Sequence, residues 1–287
     1  MQRALFLTGC LATACLQGED RLLDRLEKEC VETVVKARPG VVRILCEKEM
    51  EDGKFQRLTG ASGIVWSADG VIVTTPEAME PSVRAFAVDA KGRRVPLEVL
   101  GMDAKSCVAV LKARPEGEPA SQWTPAPRGD SAKVEAGSIV FVVGNAHGYP
   151  GTVAMGLVSG KGRFASVCQC PKRDLLQTTA AINPGDSGGA LVNVRGEAIG
   201  MILSSYNRAA PAKGIQLPGM ARAVDPEPEV GSEGVGFAIP IHRLEKPVRE
   251  IVETGRVRRC RLGMTVQRTT PALRSHLKLP EGCGLAV

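Results

Sequence analysis

After Gly40 the apolar residues stop recurring at helical spacing and begin to alternate. Short runs rich in β-branched residues follow at 41–46, 62–67, 71–75, 83–88, 94–100 and 107–112, separated by turn signals such as Ser67-Ala68-Asp69-Gly70 and Lys91-Gly92. Residues 113–137 are rich in Pro, Gly and Ser, lack an apolar pattern and read as a linker. A second set of runs follows at 138–143, 152–159, 175–180, 189–194, 197–203 and 235–239. Many short, evenly spaced strands with glycine turns leave a sandwich or a barrel as the fold, and two such sets predict two all-β units.

Helical spacing occurs at both ends of this β region. Residues 20–37 place Leu22, Leu23, Leu26, Cys30, Val31 and Val34 mostly on one face, with Asp20 as the cap and Pro39-Gly40 as the stop. Residues 242–254 place Leu244, Val248, Ile251 and Val252 together, with Gly255 ending the helix. Between the last two strands, 205–234 form a long insertion with four prolines, a length that marks a functional or a disordered loop.

Composition narrows the function classes. The chain has 287 residues, 44% hydrophobic but only 3% aromatic, so Val, Ile, Leu and Ala must build the core. The net charge of +6 is scattered, which disfavours nucleic acid as a partner. The densest basic cluster, Arg256 to Arg261, reads as a solvated segment after a helix. Nine cysteines, at 10, 15, 30, 46, 107, 168, 170, 260 and 283, show no disulfide framework. Cys168 and Cys170 lack a second Cys or His pair at a ligand spacing, so neither a metal nor a cofactor is expected. Residues 1–19 have one Arg and a short apolar stretch, and end on Glu19 just before Asp20. Leu7-Thr8-Gly9-Cys10 resembles a lipoprotein signal with Cys10 as the lipidated residue, and Ala12-Thr13-Ala14 fits a cleavage site. Export to the periplasm or cell envelope, with membrane anchoring by an N-terminal lipid, is the expectation.

The chemistry concentrates in Asn183-Pro184-Gly185-Asp186-Ser187-Gly188-Gly189. A serine between an acidic residue and two glycines is how a chain presents a nucleophile on a tight turn whose amides converge on one oxygen. "QTTAAINPGDSGGALVNVRGEAIGM" (177–201) resembles the nucleophile segment of HtrA/DegP-type trypsin-like serine proteases. "VFVVGNAHGYPGTVAMGLVSGKGR" (140–163), "TGASGIVWSADGVIVTT" (59–75) and "GVGFAIPIHRLEKPVREIVETGRVRRCRLGM" (234–264) resemble further segments of that family, in its order. The resemblance implies a chymotrypsin-like double β-barrel with an N-terminal helix, a C-terminal exit helix and a partial PDZ segment. The implied divisions are an N-terminal helix at 20–39, a first barrel at 40–125, a second barrel with exit helix at 126–259 and an incomplete PDZ domain at 260–287. A complete PDZ domain is several times longer than the 27 residues 261–287, too few to bury a core of their own.

The resemblance also exposes a departure. The family's catalytic histidine follows the strand matching 71–75, and Glu77 stands at that position. The family's catalytic aspartate is the second residue of a T-D-L-A-V-L-K pattern that Ser106 to Lys112 match, and Cys107 stands there. A carboxylate titrates near ~4.3 against ~6.5 for an imidazole, so it is a poor base towards a serine hydroxyl. His147, in "GNAHGYP", would lie on a loop of the same barrel as Ser187 and reads as an exposed loop histidine. His242 starts the exit helix and His276 lies beyond the protease domain. What the resemblance retains is an oxyanion hole from the amides of Gly185 and Ser187, and a pocket from Ala181, Ile182, Ile202 and Ser204 suited to small aliphatic side chains. The expectation is a catalytically impaired pseudoprotease that binds peptide or unfolded-protein segments and forms homo-oligomers. The alternative is an active endopeptidase using Ser187 with a non-standard base.

Overall fold

The computed structural model describes residues 21–50, 54–57, 60–79, 83–88, 92–114, 123–167, 170–203 and 234–259, and the pairs 267–268 and 285–286. The leader with Cys10, the helix cap at Asp20, Ser204 and nearly all of the 205–234 insertion lie outside them. Two compact units part between Arg256 and Val257.

In the first unit, helix α1 (21–37) precedes β1 (Val41–Glu49), with a short 3-10 turn between them. The first sheet continues with β2 (Phe55–Arg57), β3 (Ala61–Val65), β4 (Val71–Thr74), β5 (Val83–Val88), β6 (Arg94–Asp103) and β7 (Val108–Ala113). Its order is β2-β1-β3-β4-β7-β6-β5, and pairing of β1 with β5 closes six of the strands into a barrel, with β2 added along the end of β1. The second barrel closes in the order β10-β13-β12-β11-β8-β9, from β8 (Ile139–Gly144), β9 (Thr152–Val167), β10 (Cys170–Thr178), β11 (Ala190–Asn193), β12 (Ala198–Ile202) and β13 (Gly236–Pro240). The barrel pairings are antiparallel, so each barrel has one face turned inward, and the cores are aliphatic as the composition requires. Ile44, Ile72 and Leu111 fill the first; Val140, Leu191 and Ile202 fill the second.

Helix α2 (His242–Thr254) buries Leu244, Val248 and Ile251, and Gly255 caps it in the left-handed conformation (φ 74°). Val252, expected on the buried face, is 46% exposed.

Two expectations need correction. Part of the stretch read as a linker is fixed in place. Trp123 is buried in the first core, the Ala126 amide donates to Val65 O at 2.9 Å, and Arg128 bridges to Ala198 and stacks on Trp66. Short polar-rich segments can be held by backbone pairing that leaves no periodic signature. The apolar stripe of α1 is also not buried along its length. Thr33 and Ala37 are buried, and Thr33 Oγ1 donates to Val194 O at 2.8 Å, but Leu22, Leu23 and Leu26 are 66%, 64% and 53% exposed. The helix docks through its last turns only.

The second unit pairs β14 (Gln267–Arg268) with β15 (Leu285–Ala286), antiparallel.

Candidate active site

The turn 183–189 is held from both barrels. Gly185 has φ 102° and Gly188 φ 84°, conformations that side chains disfavour. A Cβ on Gly185 would collide with Asn145 O, and one on Gly188 with Ser62 O and Thr74 Oγ1. Ser62 N donates to Ser187 O at 2.9 Å, while Gly188 N donates to Ile202 O at 2.9 Å. The nucleophile position is thus fixed to β3 of one barrel and β12 of the other.

A buried polar network locks the two barrels at this point. Ser62 Oγ donates to Gly185 O at 2.7 Å, Thr74 Oγ1 donates to Ser62 O at 2.7 Å, and Asn145 Nδ2 donates to Ser62 Oγ at 2.9 Å and Val42 O at 3.1 Å. The sequence reading missed Ser62, Thr74 and Asn145. Their only signal was a polar residue inside or ending an otherwise apolar run.

The same network aims the amides. His147 N donates to Pro184 O at 2.7 Å. In a trans peptide the carbonyl and the following N–H point oppositely, so the Gly185 N–H is turned away from the 145–148 loop. Among the described residues neither the Gly185 nor the Ser187 amide has an acceptor, and Ser187, half-buried, has none for its hydroxyl. Two unclaimed donors beside one serine fit an anionic oxygen.

The topology brings Glu77 and Cys107 to the same edge. Thr74 pairs with Ala109 at the end of the β4–β7 ladder. Glu77 lies three residues beyond that end in the turn Pro76–Ala78, and Cys107 two residues before Ala109. Glu77 is exposed and has no hydrogen bond or ion pair among the described residues. Cys107 is 1% exposed and takes φ 55°, a left-handed conformation unusual for cysteine. His147 is exposed, as expected for a loop histidine, and also takes a left-handed φ of 51°. Its backbone, not its imidazole, holds the Ser187 turn.

Of the residues expected to line a pocket, Ile202 is fully buried, Ile182 is half-buried against Gly236 and Ala181 is exposed. Ile202 ends β12, and its carbonyl holds the Gly188 amide of the turn at 2.9 Å.

Asp186 is 2% exposed. Its Oδ2 accepts from Asn183 N at 2.9 Å, but Oδ1, packed over the Gly144 Cα, has no hydrogen-bond partner. Burial pushes its carboxyl above the ordinary aspartate value. The Asn183 amide, the nearby His147 and the neighbouring amides of Ala146 and Asn145 oppose the shift without cancelling it. Burial likewise raises the Cys46 thiol in the first core to about 11, which keeps it inert. Among the described residues no cluster of three or more His, Cys, Asp or Glu side chains could hold a metal.

Two closed barrels joined at a serine turn define the class: a trypsin-like fold with a chymotrypsin-like double barrel. Residues 61–201 match the trypsin-like peptidase domain. The serine protease Do-like HtrA of Lactobacillus helveticus is 33% identical over 237 residues, 80% of this chain and 52% of that protein. A probable periplasmic serine endoprotease, DegP-like, of Chlamydia pneumoniae is 30% identical over 239 residues, 83% of this chain and 44% of that protein. Among solved structures, the HtrA-type protease AlgW with a decapeptide superposes with a TM-score of 0.70 at 26% identity, covering 89% of this chain and 77% of AlgW. The chain belongs to the HtrA-type family of trypsin-like serine proteases. It spans about half the length of the curated relatives it matches.

Proposed function

We propose that this chain is a catalytically impaired HtrA-type pseudoprotease that holds peptide or unfolded-protein segments against the Ser187 turn. The observation that carries the reading is the contrast within one site. The Gly185 and Ser187 amides are left open, while Glu77 and Cys107 stand where the family's proton-handling pair belongs. Losing triad members costs on the order of 10⁶ in turnover, and the donors that remain leave roughly 10³–10⁴ over water; that scale comes from another serine protease. Binding by the open amides and by the apolar wall of Ala181, Ile182 and Ile202 survives this loss. AlgW structures containing a tripeptide or a decapeptide support a peptide as the occupant.

A fluorophosphonate probe, which needs an activated serine, tests the reading. No labelling of Ser187 and no casein cleavage above background are expected. Labelling that disappears in Ser187→Ala would favour the alternative, an endopeptidase with a non-standard base.

The periplasmic designation of DegP-like relatives and the 1–19 leader together support export, with Cys10 as a lipid anchor. The mature chain is then expected to start at or after Cys10, which mass spectrometry of protein from the native host checks. The exposed Leu22, Leu23 and Leu26 stripe supports self-association through α1, since apolar patches of this kind mark association surfaces. We further assign 260–287 to an incomplete PDZ domain, on its similarity to the start of one.

A further inference from the structure

Among the described residues Arg43 has no partner for its guanidinium. Arg94, Arg114, Arg195 and Arg243 pair with carboxylates at 2.7 to 3.2 Å, and Arg84, Arg128 and Arg173 stack on aromatic rings, whereas no described group pairs with Arg43. Its Nε is buried and has no hydrogen-bond partner, and its terminal nitrogens, also without partners, are open to solvent. A buried N–H left unpaired in a folded chain calls for an acceptor.

Its position says where that acceptor would come from. Arg43 is the cross-strand partner of Ser62 in the β1–β3 ladder, and paired residues share a face of the sheet. Ser62 directs its hydroxyl at Gly185 O, so Arg43 leaves the sheet on the side of the nucleophile turn. Its Nη2 lies 3.1 Å from where a Cβ on Gly148 would stand, and Gly148 follows the residue whose amide holds Pro184 O. At the other end of this loop, Arg38 packs its guanidinium on Gly151, with Nε 2.7 Å from the corresponding point, and among the described residues it too has no acid partner. Both glycines, at φ 84° and 69°, let the guanidinium groups lie flat against the loop. Ile202 meets the Ser187 turn from β12 at Gly188, whereas the arginines lie against the 145–151 loop, which meets the turn at Pro184 and Gly185.

We propose that Arg43, with Arg38 beside it, forms a carboxylate-binding subsite at the end of the cleft beyond Gly185. The proposal rests on the peptide-binding reading above and specifies its ligand. The bound segment carries a carboxylate just after the residue seated in the pocket, supplied by an Asp or Glu side chain or by the peptide's own C-terminus. The planar guanidinium fork accepts either one with two parallel N–H···O bonds and satisfies the buried Nε.

Fluorescence polarisation with three labelled peptides tests this on the full chain. Each has valine as the pocket residue: one neutral and amidated, one with aspartate after the valine and amidated, and one neutral with a free C-terminus after the valine. The aspartate or the free-terminus peptide should bind about tenfold more tightly than the neutral one, and whichever does so identifies the source of the carboxylate. Arg43→Gln should bring all three to a common weak affinity. Arg43→Lys, which keeps the stem and the charge but not the fork, should lose most of the advantage and serves if the glutamine variant does not fold. If the neutral peptide binds and a carboxylate adds nothing, or if the advantage survives in both variants, the subsite is wrong and the cleft reading stands. If none of the three binds, the cleft reading fails and the subsite with it.

Discussion

At the scale of single residues, Asp186 is the costliest choice in the site. A carboxylate is enclosed next to the nucleophile position with one oxygen unpartnered. Its folded-state affinity for a proton exceeds its unfolded one, because desolvation outweighs the surrounding donors. Its contribution is therefore most favourable below its unfolded value and is lost as pH rises through the raised folded one. Asp186→Asn removes the titration and keeps the size. The variant is expected to gain stability relative to the parent as pH increases from 4 to 8, read as the difference between urea midpoints at each pH. A constant difference across that range would mean that Asp186 is not the strained group. Cys107 bears on a second prediction. Its φ of 55° is one that aspartate tolerates better than most side chains, so Cys107→Asp fits the backbone already present. Combined with Glu77→His it should give hydrolysis of a peptide with a small aliphatic residue before the scissile bond, while either change alone gives little. The imidazole takes the serine proton and the carboxylate fixes its tautomer, so the two act as a unit. Loss of the gained activity on adding Ser187→Ala checks the route. Pro76, beside the new histidine, restricts its approach.

At the scale of elements, α2 is fixed by a close approach to β6. A Cβ on Gly101 would collide with Gly255 O and come within 2.9 Å of Ile251 Cγ2. Gly101→Ala therefore has to lift the end of the helix off the strand, and about 1–3 kcal/mol of stability should be lost. Equilibrium denaturation measures this, and an unchanged midpoint would show that the helix end moves freely. Helix α1 behaves differently. Its pattern predicted the helix, yet its burial is confined to the turns near Thr33 and Ala37, because only those reach the β11–β12 connection around Val194 and Gly196.

At the scale of the molecule, the barrels meet through Ser62, Thr74 and Asn145, and the site exists only where they meet. Asn145→Ala deletes the buried donor to both Val42 O and Ser62 Oγ. A loss of about 1–3 kcal/mol is expected. In the same variant the Glu77→His, Cys107→Asp background should lose part of its restored hydrolysis, since Ser62, which holds the turn from the first barrel, loses the donor that fixes its hydroxyl. The exposed leucines of α1 give a concentration-dependent prediction. Leu22→Lys with Leu26→Lys should lower the sedimentation coefficient of an associated species to that of a single chain. A parent protein that sediments as a monomer at all concentrations would remove self-association through α1.

Alternation, glycine turns and the serine motif were enough to reach two β-barrels and the Ser187 turn, because strand period and turn chemistry are local properties written in adjacent residues. What was legible at Glu77 and Cys107 was their place in the order of the strands, which the family resemblance supplied. The direction of the Gly185 amide was not, since it depends on Pro184 O finding His147 N thirty-seven residues away. Nor were the unpaired Asp186 Oδ1, the Ser62–Asn145 lock or the solitary Arg43, each of which is set by what a distant segment does or does not place against it. The apolar stripe of α1 looked the same in sequence whether covered or bare. Only the tertiary structure could decide between the two, because burial belongs to the surface a helix meets and not to the helix.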